Sequence, residues 1–223
     1  MNYEIKGGSF PVAVCKMKAG ERLICESGAM SWMDPSIRME TKGGGFGKIV
    51  GRMLSNETLF LNHYFAESDG EIAFSANSPG QILALDIQPG RSIICQKGSF
   101  LVSDEGVDLD IFFQKKFGAG LFSGEGFVMQ KLSGSGTALI EIDGNTVQYE
   151  LAAGESKVID TGYLVMMEDT CSIDVQMVQG VSNVLFGGEG LFLTVVTGPG
   201  RILLQTMPMI QMVSEIATLM NHR

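Results

Sequence analysis

Three passages of this chain superpose without a gap: GERLICESGAMSWMD from Gly20, GRSIICQKGSFLVSD from Gly90 and GESKVIDTGYLVMME from Gly154. The equivalent positions are Gly20, Gly90 and Gly154, then Gly28, Gly98 and Gly162, then the acids Asp34, Asp104 and Glu168. An internal repeat confines the fold, because each unit must bury its apolar face against a like unit. The chain reads as a single domain of three repeats, approximately 1–78, 79–142 and 143–208, followed by a helix over 209–222.

Within each repeat the pattern is that of a mainly β protein. After the acid the hydrophobic period is two. Val107, Leu109 and Ile111 alternate with Asp108 and Asp110, and Cys171, Ile173 and Val175 alternate with Ser172 and Asp174. Such alternation marks half-buried antiparallel strands. Ile37, Val107 and Cys171 fall on one equivalent face, as do Met39, Leu109 and Ile173. Glycine at equivalent points suggests a backbone need for positive φ or close approach. The acids, each followed by turn residues, read as hairpin turns. About five short strands per repeat are expected. Repeat one is longer around GGGFGKIVGRMLSN, where a short helix fits between Phe46 and Leu54. At the C-terminus Met209, Met212, Val213, Ile216, Leu219 and Met220 follow helical spacing, so a terminal amphipathic helix should dock on the sheet.

Bulk properties remove several function classes. With 223 residues the chain can bury a substantial core unaided by disulfide or metal. A net charge of −9 with scattered Lys and Arg disfavours nucleic acid as a partner. No apolar run is long enough for a transmembrane helix, and MNYEIKGGSF lacks the pattern of a secretory signal, so a cytoplasmic location is expected. Cys15, Cys25, Cys95 and Cys171 lie in apolar stretches without zinc-knuckle or redox spacing, as small buried hydrophobes would.

No catalytic, cofactor-binding or metal-ligating residue emerges. GGGFGKIVG superficially resembles a phosphate loop, but Lys42 stands where the first Gly is needed and Ile49 follows Lys48 where Ser or Thr is needed. His63 and His222 are the only histidines, too few for a cupin-type metal site. Ser123 sits in SGEG without a nucleophile elbow. Glu57, Glu125 and Glu189 fall at equivalent points of the repeats, but a carboxylate opening a strand and facing solvent accounts for them more simply than a shared cation. The Met-rich QTMPMIQM is the best candidate for an interface.

The stretches FPVAVCKMKAGERLICESGAMSWMD, KGGGFGKIVGRMLSNETLFLNHY and GGEGLFLTVVTGPGRILLQTMP together resemble the mitochondrial-biogenesis family named for altered inheritance of mitochondria. The resemblance covers nearly the whole chain. It implies a β fold related to the tryptophan RNA-binding attenuation protein, a short double-stranded β-helix type that assembles into rings. It brings no catalytic residues, and RNA binding does not carry over to so acidic a chain. The expectation is a non-enzymatic β-protein acting as an interaction or assembly module, a homo-oligomer with protein partners. The alternative is a small-molecule or lipid-binding protein with a pocket between repeats.

Overall fold

The computed structural model describes residues 1–40, 61–115, 127–177, 192–209, 211–213, 216 and 220. After β1 (Asn2–Lys6), the first repeat contributes β2 (Val12–Met17), β3 (Arg22–Glu26), β4 (Met30–Met33), β5 (Ile37–Glu40), β6 (Leu61–Ala66) and β7 (Gly70–Ser75). The second contributes β8 (Gly80–Ile87), β9 (Ile93–Gln96), β10 (Phe100–Asp104), β11 (Val107–Lys115), β12 (Phe127–Gly134) and β13 (Gly136–Asp143). The third contributes β14 (Thr146–Leu151), β15 (Ser156–Asp160), β16 (Leu164–Glu168), β17 (Ser172–Met177), β18 (Phe192–Thr197) and β19 (Gly200–Gln205). Among the described residues the stretches 12–75, 80–143 and 146–205 thus hold six strands each where five were expected, because the apolar segment opening each stretch is itself a strand.

Every strand pair is antiparallel. Two six-stranded sheets have the same construction, β5-β6-β3-β10-β13-β8 and β11-β12-β9-β16-β19-β14. In each, three strands of one repeat are extended by three strands of the next. The junctions are β3 against β10 and β9 against β16. A four-stranded sheet, β1-β2-β7-β4, and a three-stranded sheet, β15-β18-β17, complete the described strands.

Position in a sheet decides the residue pattern. The central strand β10, FLVSD, has its first four residues buried, so it is a continuous run and not an alternating one. β11 lies at a sheet edge and keeps the alternation: Val107 is buried while Asp108 and Asp110 are exposed. The first face set predicted from the repeat, Ile37, Val107 and Cys171, is buried throughout. The second set is not uniform, since Met39 is exposed on the edge strand β5 while Leu109 and Ile173 are half-buried.

The core is three apolar clusters that straddle the repeat boundaries. The first joins Leu23 and Phe74 to Leu101 and Leu139, the second joins Cys95 and Phe100 to Met166 and Leu203, and the third joins Ile94 and Phe127 to Leu164 and Val196. Burying such a side chain is worth roughly 1.5–3 kcal/mol, so the repeats hold one another in place.

Gly20, Gly90 and Gly154 have φ of +88°, +80° and +79°, the left-handed turn conformation that their recurrence suggested. The second glycine set diverges. Gly28 has φ +90°, but Gly98 and Gly162 lie in 3-10 turns, Lys97–Ser99 and Thr161–Tyr163, without positive φ. A Cβ added to Gly98 would meet nothing within 4 Å, so neither reason for glycine applies there.

Residues 209, 211–213, 216 and 220 are helical, yet of the apolar residues predicted to dock only Met209 is half-buried among those described. Met212, Val213, Ile216 and Met220 are exposed. The segment is held by polar contacts instead: Gln211 Nε2 donates to Asp160 Oδ2 at 2.9 Å, Tyr163 Oη donates to Gln211 Oε1 at 2.7 Å, and the Met209 amide donates to Asp143 Oδ2 at 2.8 Å. The helix expected between Phe46 and Leu54 lies outside the described residues.

Candidate functional site

The recurring acids are backbone clamps. Asp34 Oδ2 accepts the Glu71 amide at 2.8 Å, Asp104 Oδ2 the Thr137 amide at 2.8 Å, and Glu168 Oε2 the Arg201 amide at 3.1 Å. Each ties the end of one strand to the start of another more than thirty residues away, just after Gly70, Gly136 or Gly200. These glycines are packed against the acids. An added Cβ would lie 3.4 Å from Asp34 Cβ, 2.9 Å from Asp104 Cβ and 3.4 Å from Glu168 Cβ. The residues that recur best are therefore spent on holding the scaffold.

The nucleophiles are shut away. All four cysteines are free and buried. Burial pushes the Cys15, Cys25 and Cys95 thiols up to about 12, and it also raises Cys171. A thiol held protonated is neither a nucleophile nor a good metal ligand. His63 is half-buried on β6, opposite Ile24. Glu57, Glu125, Glu189, Lys48, Ser123 and His222 lie outside the described residues. Among the described residues no group of three or more His, Cys, Asp or Glu could hold a metal ion, and no helix is long and apolar enough to cross a membrane.

Buried polar groups invisible to the sequence reading remain. Gln130, on β12, is fully buried with neither side-chain polar atom hydrogen-bonded. Thr194 holds the equivalent place on β18, and its hydroxyl donates to Thr161 Oγ1 at 3.1 Å. Glu141 accepts the Asn77 amide at 2.6 Å and Asn77 Nδ2 at 2.9 Å, while burial raises its carboxyl above the ordinary 4.5. A cleft of about 90 Å³ opens where the Met1 ammonium meets Asp104, 3.0 Å away, with Cys15, Lys16 and Arg22 in its wall. That volume is well below the roughly 300–1,000 Å³ of a small-molecule site.

What the surface does offer is apolar. Trp32 and Met33 are exposed on β4, and Val158 is exposed on β15. β4 ends the four-stranded sheet and β15 ends the three-stranded one, so both present a free backbone edge among the described strands. Exposed apolar side chains on an unpaired edge are a pairing surface.

The comparisons with known proteins bear on this scaffold over its whole length. The model of the mitochondrial biogenesis AIM24 family matches residues 3–207. The chain belongs to that family. An uncharacterised protein of Streptococcus pyogenes serotype M6 is 29% identical over 208 residues, covering 89% of this chain and 82% of that protein. The crystal structure of a Streptococcus pyogenes protein superposes with a TM-score of 0.80 at 24% identity, covering 98% of this chain and 99% of that one, which shows a shared fold. The AIM24 scaffold here is therefore mainly antiparallel β among the described residues, with helical residues after the last strand.

Proposed function

We propose that this AIM24-family chain is a non-enzymatic assembly module that acts as a homo-oligomer. The observation that carries the reading is the exposure of large apolar side chains at two strand edges that are unpaired among the described strands, and along the terminal helix, beside thiols that are buried. Patches of that kind on a soluble surface serve contacts between molecules. The two like-built sheets, each shared between neighbouring repeats, support the finer reading of the fold as a tandem, pseudo-threefold relative of the attenuation protein. Sedimentation velocity across the micromolar range tests the proposal: concentration-dependent oligomers are expected, and a strict monomer throughout would refute it. Removing residues 209–223 should lower assembly or solubility through loss of Met212, Val213, Ile216 and Met220, whereas unchanged sedimentation would assign assembly to the strand edges alone.

A further inference from the structure

We propose that the C-terminal helical segment lays its outward apolar stripe on a zwitterionic lipid surface, without crossing it. The proposal goes beyond the assembly reading and does not depend on it.

The segment is an amphipathic helix mounted the reverse of the way that core packing demands. At about 100° per residue, Met220 lies opposite Gln211 on the helix, and Val213 and Ile216 lie within about 40° of opposite. Gln211 is on the side that meets the protein: its Nε2 donates to Asp160 Oδ2 at 2.9 Å and its Oε1 accepts from Tyr163 Oη at 2.7 Å. The Met209 amide adds a bond to Asp143 Oδ2 at 2.8 Å. Val213, Ile216 and Met220 are accordingly 56%, 46% and 72% exposed, and Met212 beside them is 39% exposed. The seat is specific to the repeat that carries the helix. Tyr163 stands where the other repeats have Ala29 and Ser99, and Asp160 where they have Glu26 and Gln96. Only the third repeat therefore offers a phenol to Gln211.

Three properties of the stripe point to lipid. The first is area. The helical residues from 209 to 220 cover roughly 16 Å of helix axis, and a face about 10 Å wide gives about 160 Å². A stable protein contact takes about 800 Å² from each partner, so the stripe cannot hold two chains together by itself. A lipid surface needs no matching shape, and an apolar helix face sinks about 5–10 Å into the boundary between headgroups and acyl chains. The second is the lack of polar anchors: Met212, Val213, Ile216 and Met220 offer no hydrogen-bond donor and no charge by which a protein partner would be positioned. The third is charge. Attraction to anionic lipid comes from clustered Lys and Arg, whereas this chain has a net charge of −9 and its residues 209–220 include Glu215 and neither Lys nor Arg. A zwitterionic surface is met without that repulsion.

The four exposed side chains together have roughly 15 heavy atoms, close to the carbon count of one myristoyl chain, so binding should be reversible with a constant of the order of 10⁴ M⁻¹. No helix among the described residues is long and apolar enough to cross a membrane, so the segment lies in the surface.

The test mixes the full chain with phosphatidylcholine vesicles and reads flotation together with oxidation of single methionines. Wild type should float with the vesicles at millimolar lipid, and the double variant Val213→Glu, Ile216→Glu should bind at least roughly tenfold more weakly. Both positions are exposed, so the variant should melt like wild type in lipid-free buffer. A second readout needs no variant. Hydrogen peroxide converts exposed thioethers to sulfoxides, and vesicles should shield Met212 and Met220 while Met39, 52% exposed on β5, reacts as before. A wild type that does not float at millimolar lipid overturns the proposal. So does flotation that the double variant keeps, or shielding that misses Met212 and Met220. Binding that requires added phosphatidylglycerol overturns it too, because the stripe has no cation to recognise that headgroup. Oligomers that the double variant loses, with no flotation of wild type, make the stripe a protein contact: lipid binding falls and the assembly reading stands. Flotation of a chain that sediments as a strict monomer upholds lipid binding while the assembly reading falls.

Discussion

Replacing Gln130 by Met should stabilise the protein, although it removes a polar group from the centre of a sheet. Gln130 sits on β12 between Cys95 of β9 and Ile111 of β11, fully buried, and its amide makes no hydrogen bond. In the unfolded chain that amide is solvated by water, so folding loses those bonds and forms none. An unpaired buried polar group costs about 1–3 kcal/mol. Methionine is close in length and volume, so repacking strain should stay below about 1.5 kcal/mol. The expected net stabilisation is roughly 1–2 kcal/mol, which for a chain of this length raises Tm by about 2–8 °C. Thr194 occupies the same place in the next repeat but donates to Thr161 Oγ1, so Thr194→Val should destabilise by about 0.5–1.5 kcal/mol. Thermal melts together with urea titrations at constant m-value would read both effects. A Gln130→Met variant that melts below wild type would refute the reasoning, since the amide must then have a partner that the folded state uses.

Three other outcomes are expected. Because burial raises the Glu141 carboxyl above 4.5, its protonated form contributes stability that is complete below the unfolded value and lost as pH rises through the higher folded value. The Tm of wild type relative to Glu141→Gln should therefore fall as pH increases from about 4.5, and a difference flat in pH would contradict it. Gly136→Ala forces a Cβ to 2.9 Å from Asp104 Cβ at φ +143° and should cost about 1–3 kcal/mol, while Gly98→Ala should change stability by less than about 0.5 kcal/mol. A thiol reagent at pH 8 should label none of the four cysteines before unfolding and all of them in guanidinium, and rapid labelling of the native protein would contradict their inertness.

How far the sequence could be read depended on whether a feature is local. The alternation in VDLDI and the turn glycines Gly20, Gly90 and Gly154 are set by neighbouring residues, and the structure places them as expected. The acids do open turns, as the Ile37 to Asp34 and Cys171 to Glu168 backbone bonds show, but their side-chain partners, the amides of Glu71, Thr137 and Arg201, are more than thirty residues away and leave no local trace. The terminal helix was legible in its period, but a period gives a face and not what the face meets. There Gln211, between Asp160 and Tyr163, sets the orientation. The junctions were hidden for the same reason: nothing in LICE announces that its partner lies in the following repeat.

The sharing of strands across β3–β10 has a consequence for synthesis. A ribosome releases the chain from its N-terminus, and the first six-stranded sheet needs β13, which ends at Asp143. Until β10, which ends at Asp104, has been made, β3 has only β6 beside it, and β10 in turn waits for β13. Folding of this protein is consequently timed by its length: the sheets begun by β3 and by β9 are each completed only by later strands, and the nascent chain must keep an adhesive edge unsatisfied for tens of residues.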